Sequence, residues 1–100
     1  MLNDEKRLHY AIQIIKSANS GTDSIADISD EIGGSRTYIA KVVALLRNAE
    51  LLDADYNVQD NITIRDVVQA IQTIQPTDDI MRRVMDKILE ALDIPISEVW

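Results

Sequence analysis

Arg36, Thr37, Tyr38 and Lys41 lie close together directly after Ser35, and no acid follows them before Glu50. Arg and Lys suit guanine edges and phosphates, while Thr reaches either. Ser35 suits a helix cap and also stands where it can touch a phosphate. An ordinary solvated helix face carries the same residue types, so the group gains meaning only from the elements that hold it. Lys6, Arg7 and Lys16 are candidates for flanking phosphates or loose surface charges. Other chemistry is poorly supplied. His9 is the single histidine and the chain has no cysteine, so thiolate catalysis, disulfides, and zinc or iron–sulfur sites are not expected. The carboxylates form no constellation with a nucleophile or base, and no Gly-rich phosphate loop is present. Neither an enzyme nor a metal or other cofactor is expected.

The positioning elements must come from one modest core, because the chain has 100 residues. With four aromatics and no Phe, that core must be aliphatic, and low Gly and Pro counts favour helix. The net charge of -7 is unevenly spread. Residues 1–52 hold six Lys/Arg against seven Asp/Glu, whereas residues 53–100 hold four against ten. Gly33–Ala49 holds Arg36, Lys41 and Arg47 and no acid, a local balance of +3 in an acidic chain. No membrane span or signal peptide is evident, which predicts a soluble cytoplasmic protein with no membrane partner.

Leu8, Ala11, Ile12, Ile15 and Ala18 recur at helical spacing and predict a helix over residues 4–18, closed near Gly21. Ser24 can cap a second helix, with Asp27 as its box partner, burying Ile25, Ala26, Ile28 and Ile32 until Gly33-Gly34. Ser35 can cap a third helix with a buried stripe of Ile39, Val42, Val43, Leu45 and Leu46. A glycine turn between the second and third helices is the signature of a helix-turn-helix, whose third helix meets the major groove. Leu51-Leu52 and Tyr56–Val58 are expected to form two short strands around an Asp/Ala turn, in the position of a wing. Tyr56 and Asn57 would be its contact residues, opposed by Asp53 and Asp55, whose charges repel phosphates. Thr63 with Asp66 should open a fourth helix that Pro76 breaks. Thr77 should cap a fifth, and Ser97 a last turn. The fifth carries Ile80, Met81, Val84, Met85, Ile88, Leu89 and Leu92, a broad apolar stripe for which pairing with a second copy is the economical cover.

"HYAIQIIKSA", "IADISDEIGGSRTYIAKVVALLRNAELL", "NITIRDVVQAI" and "IMRRVMDKILEALDIPISEV" together resemble, in that order, the winged helix-turn-helix regulators of the Rrf-two family, the IscR/NsrR/CymR type. The resemblance implies a mainly α fold with a short two-stranded wing and a long C-terminal dimerisation helix. It divides the chain into a DNA-binding domain at 1–75 and a dimerisation helix and tail at 76–100. The implied function is that of a homodimeric transcriptional repressor on double-stranded DNA, with a small ligand or protein partner as further possibilities. Three departures stand out. "DADY" replaces the family's basic, glycine-rich wing stretch, "QTIQPTDD" lacks the three cysteines of cluster-binding members, and Gly34 replaces an apolar turn residue. The acidic wing segment favours an alternative, a protein-interaction module of the same fold that has lost DNA binding.

Overall fold

The first helix is the hub of the structure because small and β-branched residues cover most of its circumference. In this computed structural model, which describes residues 2–72 and 78–100 with side chains from residue 6 onward, α1 spans Leu2–Asn19. It is followed by α2 (Ile25–Ile32), α3 (Arg36–Asn48), α4 (Ile64–Ile71), α5 (Asp79–Ala91) and a 3-10 turn at Ile96–Glu98. Helix α1 packs against α2, α3 and α4. Its buried set is therefore wider than one stripe. Ala11, Ile14, Ile15 and Ala18 are buried, while Leu8 and Ile12 pack at the margin. Ile28 enters from α2, Ile39, Val42, Val43 and Leu46 from α3, and Ile64, Val67 and Ile71 from α4.

Local chemistry starts α2, α3 and α4 where the residue types predict. Ser24 Oγ accepts from Asp27 N at 3.1 Å, and Ser35 Oγ from Tyr38 N at 3.4 Å. Thr63 and Asp66 form a reciprocal capping box, with bonds of 3.2 and 3.0 Å, and such a cap stabilises a helix by about 1 kcal/mol. Asp78 caps α5, accepting from Met81 N at 2.7 Å. Thr77 and Pro76 lie outside the described residues, but the cap of α5 is Asp78 in place of the expected Thr77, and α4 closes at Ile71, with Gln72 already extended, before the stop expected at Pro76. Ser97 sits inside the 3-10 turn rather than capping it, and that turn begins after Pro95 with no side-chain cap.

The expected winged fold is corrected here. Among the described residues there is no strand, and the predicted two-stranded wing reduces to one antiparallel bridge between Leu52 and Val58. Leu51 and Leu52 are both buried, so the segment collapses onto the core instead of alternating sides as a strand must. Positive φ values at Glu50 (63), Tyr56 (63) and Asn61 (61) bend the chain before, within and after the segment and leave too few extended residues for a ladder. The long C-terminal helix is corrected too: α5 has 13 residues, equal to α3 and shorter than the 18 of α1.

After α5 the chain turns back onto the start of α4. Ile64 N donates to Ile94 O and Arg65 N to Leu92 O, both at 2.9 Å. Ile96 N donates to Ile62 O at 3.0 Å. The Ile94 and Leu92 carbonyls take up donors that a helix start leaves without intrahelical partners. Ile96 is buried in the main core, with Leu92 and Trp100 packed against that core. Along α5 itself only Leu89 is buried, so this helix is held chiefly at its C-terminal end. Ile96→Ala should cost about 2–5 kcal/mol in denaturant unfolding. It should also speed amide exchange at Ile64 and Arg65, and unchanged protection there would refute the docking role of the tail.

Candidate nucleic-acid interface

Three residues, Gly33 to Ser35, turn α2 into α3. Gly33 adopts φ 83, the left-handed conformation that suits glycine at a helix end, and its N–H donates to Ser29 O at 2.7 Å. Ser29 is buried, and its hydroxyl donates to Gly34 O at 2.5 Å. The turn is thus held at two successive residues.

Beyond the turn, the buried stripe of α3 leaves an outward arc of Arg36, Thr37, Ala40, Lys41, Ala44 and Asn48, all exposed. At about 100° per residue, Arg36 and Lys41 stand about 140° apart, at the two edges of this arc. Thr37, Ala40 and Ala44 lie between them. The helix therefore presents a narrow ridge of short side chains flanked by two cations. Among the described residues neither cation has an ion-pair partner, and α3 contains no acid. Ser35 is committed as the helix cap. Tyr38 is half-buried, its ring 5.1 Å from that of Tyr10 in an edge arrangement. Lys6 Nζ rests 5.0 Å from the Tyr38 ring centroid, which places Lys6 beside the first turn of α3.

Of the remaining candidates, Lys16 is exposed, whereas Arg7, Tyr56 and Asn57 are engaged within the protein. Arg7 is half-buried and donates from Nη1 to Ile71 O at 3.0 Å, closing the end of α4. Arg47, the third cation of α3, donates to Asp53 O and Ala54 O at 3.3 Å each and lies 4.5 Å from the Tyr56 ring centroid. Asp53 organises the same loop. Its Oδ1 accepts from Asp55 N at 2.8 Å and Asn57 N at 2.9 Å, and its Oδ2 from Asn57 Nδ2 at 2.9 Å. Asn57 is therefore engaged by Asp53, and Tyr56 by Arg47. This loop could not be found from periodicity, because its one clue, Asp at the first position of a turn, fits any turn.

Acids occupy the neighbouring elements. Asp27, Asp30 and Glu31 are exposed on α2 or its margin, and Asp53 and Asp55 on the loop. Glu31 accepts hydrogen bonds from Ser17 and Thr22, which hold its carboxyl below the usual glutamate range. Elsewhere, Ile80, Met81, Val84 and Ile88 leave an apolar face on α5 exposed. Met85 is half-buried, while Leu89 and Leu92 pack inward. The stripe predicted from sequence thus splits between the core of the chain and a smaller outward face. Among the described residues no cluster of three or more potential metal ligands occurs, and no helix is long and apolar enough to cross a membrane.

Comparison with family models, characterised proteins and solved structures gives no match to this chain. The fold and the arrangement of side chains therefore carry the functional reading.

The Asn57 side-chain amide chiefly holds the Asp53 carboxyl below the usual aspartate range, helped by the Asn57 and Asp55 backbone N–H groups and the Arg47 charge. Because the folded value is depressed, this loop stabilisation is complete above the ordinary aspartate range and is lost as pH falls through the lower folded value. An NMR titration should show the Asp55 and Asn57 amide signals moving together at a midpoint below that of a free aspartate. A midpoint at the free-aspartate value would contradict the carboxylate's role in the loop.

Proposed function

We propose that the protein is a homodimeric DNA-binding regulator that inserts α3 into the major groove and acts as a transcriptional repressor by occupying its site. The carrying observation is the outward arc of α3, where a ridge of short side chains runs between two exposed cations on an acid-free helix. A helix is narrow enough for the major groove, and its N-terminal residues approach base edges. Arg36, in the first turn, is long enough to meet a guanine edge. Thr37, Ala40 and Ala44 supply methyl groups suited to thymine methyls, and Lys41 suits a phosphate. Lys6 adds a further cation beside the first turn of α3.

The apolar face of α5 supports the dimer. Ile80 is 72% exposed in the single chain, and Met81, Val84 and Ile88 lie close to half exposed. A second copy covers this face without a further partner, and two copies bring two α3 helices to two half-sites. Net acidity lowers loose backbone affinity, so base contacts carry a larger share of binding. A second reading, a protein-interaction module without DNA binding, is favoured by the exposed acids of α2 and the Asp53 loop.

Binding measured against a randomised duplex pool and at several salt concentrations separates the two. Arg36→Ala should lose about 1–3 kcal/mol of discrimination at a guanine, while Lys41→Ala should weaken all duplexes alike and reduce the salt slope by about one unit. No affinity for any duplex at low salt would eliminate the DNA reading and leave the interaction module.

Val84→Asp combined with Ile88→Asp should give a folded monomer by sedimentation, because both side chains are already largely solvent-facing in the single chain. A monomeric unmodified protein at micromolar concentration, or a doubly substituted protein that remains dimeric, would rule out α5 as the seam.

A further inference from the structure

We infer that Tyr10 is a positioning residue: its ring fills the space above the α2–α3 turn that a side chain at position 34 would need, and so sets the direction of α3. A Cβ added at Gly34 would lie 2.6 Å from Tyr10 Cε1, 3.1 Å from its hydroxyl and 3.2 Å from Ile39 Cδ1. The first distance is well inside van der Waals contact, so the ring must shift to admit that carbon, against its contact with Tyr38. Gly34 is needed for this close approach, whereas Gly33 serves a left-handed backbone and has open space where its Cβ would be.

The ring is fixed by more than the turn. It meets Tyr38 of α3 edge-on at 5.1 Å, with planes inclined at 67°. Lys6 Nζ lies 5.0 Å from the Tyr38 ring and 6.0 Å from the Tyr10 ring, beside both. Tyr10 therefore touches both the turn that aims α3 and the first turn that α3 presents. Its own backbone belongs to α1, the helix packed against both partners of the turn. The angle between α1 and α3 is set by the reach of the Tyr10 side chain, whose Cε1 edge and hydroxyl occupy the space beside the bare Gly34 backbone.

The functional consequence rests on the DNA-binding reading, but the positioning role does not, and the test keeps them apart. Residual dipolar couplings of the α1 and α3 amides report the angle between the two helices directly. Tyr10→Phe should leave the couplings unchanged, and Tyr10→Ala should shift those of α3 relative to α1. Gly34→Ala should lower the thermal midpoint by about 4–8 °C or more with Tyr10 present, and by much less with Tyr10→Ala, since the two changes act on one space. Additive midpoint shifts, or unchanged α3 couplings in folded Tyr10→Ala protein, would overturn the inference. If Tyr10→Ala does not fold, the couplings of Gly34→Ala decide in its place: a reoriented α3 supports the role, and a native angle overturns it. With a selected duplex, Tyr10→Ala should reduce discrimination between sequences about tenfold and leave the salt slope unchanged, because the cations remain. Failure of the unmodified protein to bind any duplex removes the proposed function, and the couplings alone then decide the role of Tyr10.

Discussion

The burial of α1 on three sides is the constraint on which the other elements depend. Ala11, Ile14 and Ile15 are fully inaccessible, and each belongs to a core built from aliphatic residues of α2, α3 and α4. A hub in contact with three helices has little room for bulk, which is why Ala11 and Ala18 stand among its buried positions. The few aromatics are displaced to the margin. Tyr10, Tyr38, Tyr56 and Trp100 all pack against the outside of the cluster rather than within it. Interiors this closely packed tolerate volume changes poorly, so the relative positions of the helices follow from the residues on α1.

Charge is organised around the same scaffold by commitment rather than by total. Of three cations on α3, Arg47 is tied to the Asp53 loop, and Arg36 and Lys41 remain open. Of the two cations early in α1, Arg7 closes α4 and Lys6 stays near the first turn of α3. One basic residue from each helix is thus tied to the protein's own loops and helix ends. A chain of net charge -7 thereby keeps two open cations on an acid-free helix, while most of its acids are carried by α2, the Asp53 loop and the C-terminal half.

Much of this is legible in the residues themselves. Ser24, Ser35 and the Thr63–Asp66 pair act as caps because capping is decided within four residues of sequence. The exposed arc of α3 follows from its helical phase, since Ile39, Val42, Val43 and Leu46 fix which side faces inward. What sequence reasoning misses is tertiary. Leu51 and Leu52 suit a strand locally, and the competing pull of the core buries both instead. Nothing local to Arg7 or Arg47 says that a carbonyl of another segment will claim the guanidinium. The tail is equally hidden, because Ile96 joins a core built by residues far earlier in the chain. Gly34 reads in the sequence as half of the glycine pair that ends α2, and nothing local to it says that the Tyr10 ring lies where its Cβ would be.

The docking of residues 92–96 on the start of α4 bears on how the protein is made. Ile64 and Arg65 donate to the carbonyls of Ile94 and Leu92, far later in the chain, so α4 emerges from the ribosome well before its backbone partners do. Closing such a loop carries an entropic cost that only the completed contact offsets. During that interval Ile62 and Ile64 lack the cover that Ile96 later provides. The nascent chain therefore passes through a stage in which α4 has emerged while the apolar strip that Ile96 covers stays open. A chaperone bound to that strip would have to leave before the tail could dock.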